Sequence, residues 1–233
     1  MSFIFEVLAE GFRHLVDFGP NLRSILWLTL AVSLSATIIG SSIGVPAGVW
    51  LAQARFRGRL AVVTFVNVGM GLPPVLAGLF VLLLLWGEGP LGGLDLLFTP
   101  TAMVIVQSML ALPIALGITL GAVSGLSPAA TEQLRALRLP FLGRLRILIS
   151  EVRVGVLVAV AAAFGRVIAE VGAVLIVGGN ISGETRVLTT AIVQETRQAR
   201  FGAAIALGIV LLVRLTIVNG GLAWLQARGD GDG

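Results

Sequence analysis

Cysteine, lysine and tyrosine are all absent from this chain of 233 residues, and His14 is its one histidine. Without cysteine there is no disulfide framework, thiol nucleophile or cysteine-ligated zinc or iron–sulfur centre. One histidine argues against a His-rich metal centre and against a Ser-His-Asp triad. All 16 basic residues are arginine. A phosphate loop of the form GxxxxGK[ST] therefore cannot be present, and the chain does not itself cradle ATP phosphates. Charge is scarce as well: 12% of residues are charged, against about 25% in a soluble domain. No clustered His/Asp/Glu and no nucleophile–base pair stands out, which disfavours a membrane enzyme and leaves no metal or catalytic set to assign.

What is present is apolar. Hydrophobic residues make up 57% of the chain, glycine contributes 30 residues, and the mean hydropathy is +1.01. No charge falls between Arg23 and Arg55, between Arg59 and Glu88, or between Asp95 and Glu132. Each gap exceeds the roughly 20 residues a helix needs to cross about 30 Å of hydrocarbon. Two further apolar stretches carry ionisable residues near their middles. The pattern predicts an all-α integral membrane protein with about five transmembrane helices, at 24–53, 60–86, 98–124, 154–177 and 201–225. Residues 1–21 read as an amphipathic lead-in without the basic n-region of a signal peptide. Residues 227–233 read as a polar, disordered tail.

The isoelectric point near 11.4 would suit nucleic acid, but a net charge of +4 on so apolar a chain is better explained by the positive-inside rule. With five spans, Arg55, Arg57, Arg59, Arg135, Arg138, Arg144, Arg146, Arg153 and Arg228 fall on one side. Arg13, Arg23, Arg186, Arg197 and Arg200 fall on the other. That places the N-terminus outside, the C-terminus inside and the loop 125–153 in the cytoplasm. In this loop Ser127-Pro128 can cap and start a helix, AATEQLRALRL follows at helical spacing, and Pro140 ends it. A basic segment, FLGRLRIL, leads on to the fourth span. Either the loop is a solvated topology determinant, or its helix docks a cytoplasmic partner.

The loop resembles the EAA loop of ABC importer permeases. Glu132 takes the glutamate position, Gln133 and Leu134 stand where alanines are usual, Arg138 stands at the glycine, and Leu148-Ile149-Ser150-Glu151 replaces I-x-L-P. The flanking segments LPPVLAG (72–78), FTPTAMVIV (98–106), FGRVIAEVGAVLIVGGNI (164–181) and TRVLTTAIVQETRQARF (185–201) resemble tungstate importer permeases, over residues 22–226. The resemblance implies a type I ABC importer permease of a bacterial or archaeal cytoplasmic membrane. Its partners would be a second copy of itself, a cytoplasmic ATPase dimer that binds Mg-ATP, an extracytoplasmic oxyanion-binding protein and membrane lipid. It also implies an ATPase-coupling role for Glu132, Gln133, Arg135, Ala136, Arg138, Leu139, Gly143 and Arg144. Molybdate, sulfate or phosphate are alternative substrates, and a self-contained channel or secondary transporter is an alternative of another class.

Charges within a span cost roughly 2.5–3.5 kcal/mol on insertion scales, so they are functional candidates by default. Arg166 and Glu170 in the fourth span are four apart and can pair on one helix face. At ~1.5 Å per residue they sit about 20 and 26 Å from Arg153, and Arg214 sits about 21 Å from Arg228. Glu170 could neutralise these arginines and lock the fourth span to the fifth. Alternatively the trio lines a path, and its +1 per subunit, +2 in a dimer, would favour a doubly charged oxyanion. Pro73-Pro74 should kink the second span as a gate, a pore lining or a packing irregularity, with Asn67 satisfying part of the freed backbone. Pro46 and Pro113 read as simple kinks. Ser33, Ser35, Gly40, Gly44 and Gly48 form a small stripe for close packing. The turn Gly178-Gly179-Asn180 either caps a helix or offers amides to an anion. Glu184, Arg186, Glu195, Arg197 and Arg200 are candidates for contact with a binding protein.

Overall fold

A computed structural model describes residue 11, residues 20–136 and residues 139–230. From Pro20 its helices are α1 (Pro20–Gln53), α2 (Arg59–Met70), α3 (Pro74–Leu85), α4 (Pro100–Ser124), α5 (Pro128–Ala136), α6 (Phe141–Glu151), α7 (Arg153–Ile168), α8 (Gly172–Gly178), α9 (Leu188–Arg197) and α10 (Phe201–Asp230). No strand occurs among the described residues. Residues 1–10 and 12–19 of the expected lead-in, with His14, lie outside them, as do Arg138 and residues 231–233.

Among the described residues three helices are long and apolar enough to cross a bilayer unaided: Leu22–Gln53, Pro100–Ser124 and Phe201–Gly221. Pro46 and Pro113 sit inside α1 and α4 without ending either helix. The second span is broken. α2 and α3 meet at 99°, because Pro73 caps α3 in an extended conformation and Pro74 opens its first turn. Asn67 does not supply the expected side-chain repair: it is exposed, and its backbone carbonyl accepts from the Gly71 N–H at 3.4 Å.

The fourth span also departs from a continuous helix over 154–177. α7 stops at Ile168 and α8 restarts at Gly172, so a depth counted for Glu170 along one helix does not hold. On its other side α7 joins α6 at a bend of 84°, and the segment expected to lead into the span is itself a helix. At the far end α10 runs on to Asp230, so Arg228 is helical where a disordered tail was expected.

Glycine and alanine set the closest packing. A Cβ at Gly40, Gly44 or Gly48 of α1 would stand 2.6 Å from Ala111 Cβ, 2.7 Å from Leu112 O or 2.6 Å from Leu116 O of α4. The backbones of α1 and α4 touch along three turns, the small-residue association expected in lipid. Ser33 is buried on this side, whereas Ser35 is exposed and does not belong to the stripe. α7 lies over the α1–α4 pair, with Gly155 against Ala122, and Ala36, Ala111, Ala115, Ala163 and Val167 fill the space between. α3 packs on α8 through Gly78 against Ala173.

Candidate functional site

Among the described residues, two of the places where polar groups gather bear on function. The first is the gap between α7 and α8. A helix broken inside a membrane frees backbone groups that must find partners within the protein, and here side chains from three segments supply them. Glu170 is buried, with 4% of its side chain exposed. Its Oε1 accepts the Ala173 N–H at 3.1 Å and its Oε2 accepts from Arg166 Nη1 at 3.3 Å. Thr189 of α9 donates its hydroxyl to the Glu170 carbonyl at 2.9 Å. Gln107 of α4 donates Nε2 to the Val167 carbonyl at 3.2 Å, while its Oε1 is buried without a partner. The break is thus clamped from α4, from α9 and by its own Glu170.

Arg166 and Glu170 pair as their spacing suggested, but Arg214 does not join them. Among the described residues Arg166 is the ion-pair partner of Glu170, and Arg214 Nη1 donates to the Leu26 carbonyl of α1 at 2.9 Å. Arg214 ties α10 to the first turns of α1, 188 residues away in sequence.

The turn Gly178-Gly179-Asn180 closes α8, with Gly179 and Asn180 both left-handed (φ 69° and 55°). Its polar groups are engaged from within the chain: Asn180 Nδ2 donates to Gln194 Oε1 at 2.5 Å, Arg186 Nε donates to Asn180 Oδ1 at 3.3 Å, and the Thr185 hydroxyl donates to the Gly178 carbonyl at 2.5 Å. Close by in sequence, Arg200 Nε pairs with Glu195 at 2.7 Å, and Glu184 and Arg197 are exposed.

The second place is the loop 125–153. The Ser127 hydroxyl accepts the Ala130 N–H at 3.2 Å and opens α5. Glu132 and Gln133 are exposed, and the backbone places Arg135 and Ala136 in the last turn. Leu134 packs onto Val49, Val123, Leu148 and Val152, which fixes the side of α5 that turns inward. Leu139 offers its carbonyl to Arg144 Nη2 at 3.4 Å, whereas Arg144 Nε is buried without a partner. Gly143 is half-buried beside it on α6. A groove of about 220 Å³ opens between Leu134, Arg144, Leu148, Gln53 and Leu126.

Neither place holds three or more metal-ligating side chains among the described residues. What the chain offers is an amphipathic helix pair over a groove at one site, and at the other a clamped helix break with one half-exposed arginine. The family profile of the inner membrane component of binding-protein-dependent transport systems matches residues 44–229. The chain belongs to this family. It is 37% identical to the tungstate uptake system permease protein TupB of Peptoclostridium acidaminophilum, over 95% of this chain and 99% of that protein. It is 39% identical to a probable anion ABC transporter permease protein of Haloferax volcanii, over 85% and 88%. Sulfate and molybdenum permeases are similar at 28% and 27% identity. In fold it matches a chain of the methionine ABC transporter MetNI, with a TM-score of 0.72 at 16% identity over 91% and 99% of the two chains. The architecture is that of a type I ABC importer permease. Permeases of this family are membrane subunits, not ATPases, and work with an ATPase and a substrate-binding protein.

Sequence reasoning missed Gln107 and Thr189. Gln107 carried a signal, since it is the one amide in the uncharged run from Leu96 to Thr131. Thr189 carried none, because its partner Glu170 lies 19 residues away across a turn and a helix start.

Proposed function

We propose that this chain is the permease subunit of an oxyanion importer, with tungstate as its substrate, working by alternating access in a bacterial or archaeal inner membrane. The observation that carries the reading is the near full-length similarity to a protein named for tungstate uptake, and the relatives named for sulfate and molybdenum keep the chemistry within tetrahedral oxyanions. Two copies of the chain pair, with the N-terminus outside and the arginine-rich loop 125–153 inside. There each copy meets one subunit of an ATPase dimer that binds and hydrolyses Mg-ATP. A separate binding protein delivers the anion outside.

The coupling contact is made by α5 and the start of α6. Glu132 and Gln133 face outward, and the groove lined by Leu134, Arg144 and Leu148 takes an apolar side chain of the ATPase, by the helix-and-groove chemistry of amphipathic recognition. Arg135, Ala136, Arg138, Leu139 and Gly143 belong to the same contact. Closure of the ATPase pair pushes on α5 and reaches the core through α6 and its 84° bend into α7. Pro73 and Pro74 hold the α2–α3 corner as a gate element, and Arg166 and Glu170 mark the path. Arg214, which reaches across to the Leu26 carbonyl of α1, and Asn180, which bonds Gln194 of α9, hold helices together in this reading.

The test is uptake into proteoliposomes that contain the chain, its ATPase and its binding protein, each omitted in turn, with tungstate compared with molybdate. Uptake that needs ATP and both partners, and that falls at least about tenfold with Glu132→Ala (the loss of about 1.4 kcal/mol of coupling), is expected. Uptake by the chain alone would instead identify a channel or secondary carrier.

A further inference from the structure

The faces of the bundle that no other helix covers are not alike. On α3 the exposed side chains are Val75, Leu76, Leu79, Phe80 and Leu83, and on α10 they include Leu212, Val213 and Ile217. Large apolar side chains of this kind suit lipid tails. α7 is covered by α1, α4 and α10, and its remaining strip is of a different character. It reads Val158, Ala162, Gly165 and Arg166, at the i, i+4, i+7 and i+8 positions of one helix face, and Ala169 at the C-cap continues it. Val158, Ala162 and Ala169 are exposed and Gly165 partly so, and a methyl group built on Gly165 meets no atom within 4 Å. The strip is open space bordered by small residues, with one guanidinium in it.

That guanidinium is held in a particular way. Arg166 is 36% exposed while its carboxylate partner is 4% exposed. Glu170 touches Arg166 through one oxygen, and its other oxygen is taken by the Ala173 N–H. The negative charge is therefore buried behind the helix break, and the positive charge stands at the open face. A guanidinium has five donors, and Glu170 accepts from one, so the fork retains the geometry that suits a tetrahedral oxyanion. An ionised arginine at this depth cannot face lipid without heavy cost, and the small residues around it leave room for water.

We infer that Arg166 is the side chain that contacts the oxyanion inside the membrane, on the α7 strip Val158–Ala169, and that Glu170 is its positioning residue. The inference rests on the oxyanion-permease reading. Glu170 does two separable things: it caps Ala173, and it balances Arg166. Gln at this position keeps an oxygen for the cap and loses the charge. Glu170→Gln should thus leave the break intact and make the strip more attractive to anions, whereas Arg166→Gln should make it less so. A purely structural pair would not shift the two variants in opposite directions.

Because the chain has no cysteine, the strip can be probed directly. Single variants Ala162→Cys and Ala169→Cys, with Leu79→Cys on α3 as the lipid-facing control, are assembled with the ATPase in proteoliposomes. Each is then treated with an anionic (sulfonatoethyl) and a cationic (trimethylammonioethyl) methanethiosulfonate. Expected is reaction at positions 162 and 169 but not at 79, slowed by added tungstate. The anionic-to-cationic rate ratio should fall about tenfold when Arg166→Gln is added and rise when Glu170→Gln is added, in keeping with the 10–10³-fold effects of local fields on encounter rates. Arg166→Lys, which keeps the charge, should retain the ratio of the parent. Thiols at 162 and 169 as unreactive as that at 79, or a ratio unmoved by either charge change, overturn the inference and leave the strip to a second copy or to lipid. Loss of ATP-dependent uptake by the otherwise unaltered transporter would be a failure of the permease reading instead, and the rate ratios report on Arg166 without it.

Discussion

Single side chains at the α7–α8 break carry distinct burdens. The Gln107 amide donates to the Val167 carbonyl but leaves Oε1 buried and unpaired. A buried acceptor without a partner costs about 1–3 kcal/mol, at least as much as the roughly 0.5–1.5 kcal/mol the donated bond contributes. Gln107→Leu should therefore change thermal stability little, within about 1 kcal/mol, while Gln107→Ala, which also opens a cavity, should destabilise by roughly 2 kcal/mol. Thermal unfolding of the purified complex in detergent checks both. Thr189→Val removes a hydroxyl from the Glu170 carbonyl without changing shape, and hydrogen bonds between membrane helices average about 0.6 kcal/mol. A small destabilisation with retained folding is expected. A collapse of expression would mean that the break depends on α9 far more than one bond implies.

Among the elements, α1 and α4 approach each other backbone to backbone. At Gly44 a methyl group would fall 2.7 Å from a backbone carbonyl and 2.9 Å from Ala115 Cβ, and backbone cannot swing aside as a side chain does. Gly44→Val should cost at least about 1–3 kcal/mol through overpacking and lower the yield of monodisperse protein. The same change at Gly121, where a Cβ meets nothing within 4 Å, should leave yield unaltered. Size-exclusion profiles of the two variants decide it. The second span shows an element set by covalent chemistry: adjacent prolines remove two donors, and the chain answers with a 99° corner rather than a mild kink.

For the molecule as a whole, the positive-inside rule turns the disposition of arginine into a prediction of orientation. Arg55 and Arg57 are exposed between α1 and α2, and Arg59 Nε reaches back to the Leu51 carbonyl at 3.2 Å, so this basic turn is anchored at the end of α1. A cysteine placed at Gly58 or at Gln133 should be labelled by an impermeant thiol reagent only from the cytoplasmic side, and one at Ser182 only from the other. Labelling of the first two from outside would invert the topology. Co-purification supplies a second check at this scale. Glu132 is exposed on α5, so Glu132→Arg should abolish capture of the ATPase while leaving the thermal stability of the permease unchanged, because an exposed carboxylate contributes little to the packing of the bundle.

The sequence by itself determined the helical membrane class and the family of the protein. Charge-free runs longer than a bilayer, the absence of lysine and hence of a phosphate loop, and the run of segments like those of tungstate permeases needed no coordinates, because hydropathy and local motif are properties of neighbouring residues. Spacing alone also foresaw the Arg166–Glu170 pair and the start of α5 at Ser127-Pro128. What only the tertiary structure decided was where continuity fails and which polar groups meet. The gap between α7 and α8 is legible in sequence only as a charge in an apolar run, Ala-Glu-Val-Gly, since the partners of its freed backbone groups include Gln107 and Thr189, which arrive from helices distant along the chain. Arg214 looked like a third member of an intramembrane cluster, and three-dimensional packing assigned it to the Leu26 carbonyl instead. Ser35 fitted a small-residue stripe by type yet turned outward by helical phase. For the break and for Arg214 the deciding quantity was a distance between residues remote in sequence, set by how the helices pack rather than by any local pattern.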